Sequence, residues 1–130
     1  MANPKGFKRI GLRYINKIEI KAESVEVGDY VDFFPHIPQD LPQVHTRFLS
    51  RIEIPYQNHR DRMLLTIGNT RPETPNTTLI VLDIHYIMSV PEAISMEEFE
   101  NWLDQGHSVV EKTFELCIKD KSRILFGEVK

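Results

Sequence analysis

Asp83 and His85 stand two residues apart in the run 78–88. In an extended chain that spacing projects both side chains from one face. A carboxylate and an imidazole placed so could act as acid and base, or as two ligands of a metal. A plainer role is equally open, in which they pair with arginines across a sheet and satisfy polar groups near a core. No nucleophile motif and no third ligand at fixed spacing accompanies them.

A second constellation is cationic. Arg9, Arg13 and Lys17 share one parity of the run 7–20, and His45, Arg47 and Arg51 share one parity of the run 44–54, with Arg62 nearby. If those two strands were neighbours, several cations would share a face suited to phosphates or carboxylates. A solvated face, or one that docks a further domain, would carry the same pattern. The candidate ligand-binding residues are therefore Arg9, Arg13, Arg47, Arg51, Asp83 and His85, with no catalytic and no metal-ligating residue assigned.

The remaining reactive types read as structure. His107 lies at the margin of an apolar helical stripe, between Leu103 and Val110, the setting of a packed, hydrogen-bonded histidine. His36, His45 and His59 have no metal-like spacing among them. Cys117 continues the apolar stripe, where burial raises a thiol's pKa and makes it inert. No Walker loop, GxGxxG, HExxH, CxxC or GxSxG occurs in the chain, so nothing calls for a cofactor.

The elements that must position these residues follow from periodicity. Run 7–20 alternates, with Ile10, Leu12, Tyr14, Ile18 and Ile20 opposite the cations, as a half-buried strand does. Run 22–32 reads as a short helical turn of uncertain type, and prolines at 35, 38 and 42 impose an extended loop. A second strand covers 44–54 and ends at Pro55, and the polar segment 57–61 suits a hairpin connection. A third strand covers 62–68, with a Pro72/Pro75 loop after it. Run 78–88 is apolar on both parities, as a central or doubly covered strand would be.

After Pro91, Ser95 and Glu98 have the spacing of a capping box. Phe99, Trp102, Leu103, Gly106, Val110, Thr113, Phe114 and Cys117 then recur at threes and fours, giving one broad apolar helical stripe. The periodicity allows that helix to run on through Ile124 to Phe126, where Gly127 stops it. The fold class is α+β: an antiparallel sheet of about four strands with one long C-terminal helix packed on one face. The contact should bury Phe99, Trp102, Leu103, Val110 and Phe114 against Ile10, Leu12, Phe48, Ile52 and Leu65.

The totals bound the class. With 130 residues, 41% of them hydrophobic and 27% charged, the chain suits one globular domain. A net charge of −3 supplies no whole-molecule field for nucleic acid or an anionic membrane. The single cysteine fits a reducing cytoplasm, and residues 1–6 lack the apolar core of a secretory signal. No apolar run reaches membrane-spanning length, so no membrane partner is expected.

The stretch Arg9-Ile10-Gly11-Leu12-Arg13-Tyr14-Ile15-Asn16 resembles a motif of a sporadically distributed family of uncharacterised bacterial proteins. The pattern around His107, Phe114 and Ile118 is similar to that family's closing helix, and the likeness would span most of the chain. Family members are commonly about twice as long, so the resemblance implies the C-terminal half of a longer architecture. It implies no activity. The order of strands followed by a long helix is also similar to the SecB export chaperone, at the level of fold alone.

These readings favour a non-enzymatic binding or assembly module, homodimeric, that uses a sheet edge or the outer sheet face to hold a protein partner. The alternative is a protein that binds or acts on a phosphorylated or nucleic-acid ligand through a basic sheet face.

Overall fold

The computed structural model describes residues 6–43, 46–72 and 74–126. Four strands, β1 (Gly11–Ile20), β2 (Leu49–Tyr56), β3 (Asp61–Thr70) and β4 (Thr78–Met88), form one antiparallel sheet in the order β1-β4-β3-β2. A helix α1 (Phe99–Cys117) and a short α2 (Asp120–Leu125) follow, and a 3-10 turn occupies Val27–Asp29. The α+β class, the central place of β4 and the long C-terminal helix agree with the periodicity.

Side-chain parity divides the sheet. Even positions of β1, β2 and β4 and odd positions of β3 turn inward. The inward residues Ile18, Ile20, Met63, Leu65, Ile67, Ile80, Leu82, Ile84 and Tyr86 are buried. Opposite them stand Trp102, Val110 and Cys117 from α1, with Leu103 and Phe114 packed on the margin. The helix approaches the sheet closely because Gly106 has no side chain: a Cβ there would meet Leu12 Cδ1 at 2.7 Å and the Tyr86 ring at 3.2 Å. Ser95 and Glu98 close the expected capping box, the Ser95 hydroxyl accepting from Glu98 N at 3.2 Å and Glu98 Oε1 accepting from Ser95 N at 3.2 Å. The box sits on the turn that leads into α1 rather than inside it.

Four expectations are corrected. The first and second strands are not neighbours: β4 and β3 lie between them, so β1 and β2 are the two edges. The second strand runs over Leu49–Tyr56 instead of 44–54, and Pro55 lies inside it. An edge strand tolerates proline because one row of its backbone groups has no partner strand to serve. Ile52 points inward but is 43% exposed, since α1 packs chiefly over β4 and β1 and β2 is the far edge of the sheet. The last helix does not continue to Phe126 unbroken. Ile118 is extended and bridges to Val31, and Asp32 N donates to the Cys117 carbonyl at 2.7 Å, so pairing with a distant segment interrupts the helix before α2 begins. Val44 and His45, and the stop at Gly127, lie outside the described residues.

Among the described residues no helix is long and apolar enough to cross a membrane. Trp102 is 2% exposed at the centre of the helix-sheet contact. Trp102→Ala is expected to cost about 3 to 5 kcal/mol in urea unfolding. A wild-type midpoint and slope in that variant would contradict the packing.

Candidate functional site

Asp83 and His85 do share the outer face of the sheet, and Arg13 and Arg51 join them there. Across the face the registers align Arg13 with His85 and Leu64, and Ile15 with Asp83, Thr66 and Arg51. Arg13 grips Asp83 as a fork, Nε donating to Oδ1 at 3.1 Å and Nη2 to Oδ2 at 2.6 Å. Gly11 makes room for the His85 ring: a Cβ at that position would meet His85 Nε2 at 3.0 Å and Ile87 Cγ2 at 2.9 Å. Burial lowers the His85 pKa first, and the guanidinium groups of Arg13, Arg51 and Arg62 lower it further, against an opposing pull from Asp83. The imidazole is accordingly neutral at pH 7.

This geometry suits neither catalysis nor metal binding. Both Asp83 oxygens accept from Arg13, which ties the carboxylate into an ion pair within the sheet. Among the described residues no group of three His, Cys, Asp or Glu side chains could hold a metal ion. Asp83 pairing with an arginine across the sheet is the plainer of the two roles weighed for it.

Nor is the face strongly basic. Arg62 donates to Glu53 at 2.9 Å, so the cations Arg13, Lys17, Arg51 and Arg62 confront the carboxylates of Glu19, Glu53 and Asp83 on the same surface. Arg9 precedes β1, and Arg47 precedes β2 on an exposed bend at the end of the sheet, so neither belongs to this face. His45 lies outside the described residues. The outward residues of both edge strands are exposed throughout, with Ile15 53% and Leu49 74% exposed. Half-buried Leu64, Leu79, Val81 and Ile87 lie between those edges.

His107 and Cys117 behave as packed residues. Tyr14 Oη lies 2.8 Å from His107 Nδ1 with the rings edge to face, joining β1 to α1. Burial pushes the Cys117 thiol up to about 11, with a further push from Asp32.

One polar cluster escaped the sequence reading. Asp61 is fully buried, and its carboxylate accepts from Tyr86 Oη at 2.6 Å, Trp102 Nε1 at 3.0 Å and Arg60 Nη2 at 2.6 Å. Taken as part of a polar hairpin, it drew no notice. The available signal was parity, since Asp61 is in phase with Met63, Leu65 and Ile67. Burial disfavours the Asp61 anion, and the hydrogen bonds from Arg60, Tyr86 and Trp102 outweigh that, holding the carboxyl below the usual range. Burial and the Asp61 carboxylate together push the Tyr86 phenol well above its ordinary value, so it remains a donor. With every strong donor and acceptor matched, the cluster is a structural clasp and not a reactive site.

No family model, no curated protein and no solved structure matches the chain. Function must therefore be argued from the surfaces alone.

Because the folded pKa of Asp61 lies below its unfolded value, its contribution to stability is full above the unfolded carboxylate range. It is lost as pH falls through the depressed folded value. Asp61→Ala strands Arg60 and two buried donors, at an expected cost of about 3 to 5 kcal/mol near neutral pH. Urea unfolding of wild type and variant should show this gap narrowing as the solution is acidified. A gap that is small or independent of pH would refute the assignment.

Proposed function

We propose that the domain is a non-enzymatic assembly module, which holds a second copy of itself against the outer face of its sheet. The observation that carries this reading is the character of that face: neither helix among the described residues packs on it, and aliphatic side chains alternate there with paired charges. Its outward rows expose Ile15 and Leu49 beside half-buried Leu64, Val81 and Ile87. Exposed aliphatic side chains on a face that carries its own ion pairs suit contact with another folded surface.

A second copy is the partner best matched to it. The ion pairs Arg13–Asp83 and Arg62–Glu53 are already made within the face, so a two-fold axis brings two surfaces of matched charge together without net repulsion. Four strands about 4.8 Å apart, each about 3.4 Å per residue, span on the order of 500 Å² in plan. With side-chain relief that approaches the roughly 800 Å² per partner of a standard interface.

The edges are poorer candidates for docking by strand addition. Pro55 removes a donor from β2, while Arg51 and Glu53 on β2 and Arg13, Lys17 and Glu19 on β1 place charge along both borders. Such features keep edges apart. A second apolar surface, formed by Leu116, Ile124, Leu125 and Phe126, is followed directly in the chain by residues outside the described set.

Sedimentation equilibrium from micromolar to near-millimolar protein should show a monomer-dimer equilibrium. Ile15→Glu combined with Leu49→Glu should weaken it by roughly ten-fold or more, about 1.4 kcal/mol, without lowering the melting temperature. A monomer throughout that range would overturn the reading, as would a dimer that both substitutions leave intact.

A further inference from the structure

A cleft of about 640 Å³ lies at the end of the sheet where β1 and β3 run out and β4 begins. It shares only Leu79 with the outer-face residues named above. Its walls are fixed by side-chain bonds to backbone. Asn69 Oδ1 accepts from Phe48 N at 3.0 Å and its Nδ2 donates to the Thr46 carbonyl at 2.9 Å, which holds the segment carrying Arg47. Thr78 Oγ1 donates to the Ala22 carbonyl at 2.8 Å, which holds the segment opposite.

The lining is uneven in a telling way. Arg13, Arg60, Arg62 and Arg123 each pair with a carboxylate, whereas Arg47 and Arg71, like Arg9 and Arg51, make no ion pair among the described residues, and both line this cleft. Two guanidinium groups on one cleft, neither paired with a carboxylate among the described residues, favour an anion between them. The hydroxyls of Ser24, Thr46 and Thr70 line the same cleft and have no protein partner among the described residues. Val25, Val27, Phe48 and Leu79 supply an apolar side, and Glu23 is the one carboxylate. Small-ligand sites combine these features: concavity, an apolar wall and a few converging polar groups.

We infer that this cleft binds a small phosphate monoester, whose phosphoryl group is held by Arg47 and Arg71 and whose organic body rests on Val25, Phe48 and Leu79. The sequence named Arg47 as a candidate and placed it on the sheet face. Its partner in binding is Arg71, from the Pro72 loop, instead of the arginines of β1.

Phenyl phosphate is a suitable probe, titrated at low salt into isotope-labelled full chain and followed by amide NMR. Saturable shifts are expected at Thr46, Asn69, Thr70 and Thr78, with inorganic phosphate binding several-fold more weakly and phenol not at all. Arg47→Ala with Arg71→Ala should lower the affinity roughly ten-fold or more, while Arg51→Ala leaves it unchanged. Should the double variant fail to fold, Arg71→Glu alone carries the same expectation. Four outcomes would overturn the inference: no saturable shifts, equal binding of phenol, inorganic phosphate as tight as the ester, or full affinity in the arginine variants. None of them bears on dimerisation through the outer face.

Discussion

The clasp on Asp61 is the constraint from which the rest of the arrangement follows. A carboxylate with no exposed surface survives in a core only if its lone pairs are filled, and here three elements are drawn in to fill them. Arg60 comes from the hairpin, Tyr86 from β4 and Trp102 from α1. Once the indole is committed to that carboxylate at the start of β3, the first turns of the helix are pinned over the sheet. Gly106 then sets the helix against Leu12 and Tyr86, and the Tyr14–His107 pair ties it to β1. Helix placement over β1 and β4 leaves Ile52 half uncovered, and among the described residues neither helix covers the opposite face.

What the sequence reveals of this design is local. Alternation identifies the inward residues of β1, apolarity on both parities marks β4 as central, and the spacing of Ser95 with Glu98 marks the approach to the helix. Strand order is not local. Nothing in the alternation of residues 7–20 says that β1 pairs with β4, so a basic face shared by the first and second strands was a pattern without a pairing. The break at Ile118 is likewise hidden, because helical periodicity continues through it while a bridge to Val31 ends the helix. Asp61 was legible in principle from its phase with Met63, but its neighbours Asn58, His59 and Arg60 made the segment look like surface. The cleft draws on segments around positions 24, 47, 70 and 78, and a single sequence cannot show that they meet.

The outer face and the cleft differ in how their charges are settled. On the face, arginines and carboxylates are paired or interspersed, which suits contact with another folded surface. At the cleft the arginines are unmatched, which suits a ligand that brings its own charge. The segment 9–16 forms most of β1 and the residues just before it. It contributes Arg13 and Ile15 to the face and Leu12 and Tyr14 to the helix contact, so one strand serves both the core and the proposed interface.

Hydrogen exchange of the Trp102 indole proton, followed by NMR, tests the clasp most directly. Donated to a buried carboxylate, that proton should exchange only through global unfolding, with protection equal to that of the β4 core amides. Exchange at the rate of an exposed indole, while those amides stay protected, would show that Trp102 is not held by Asp61 and that the helix is anchored some other way.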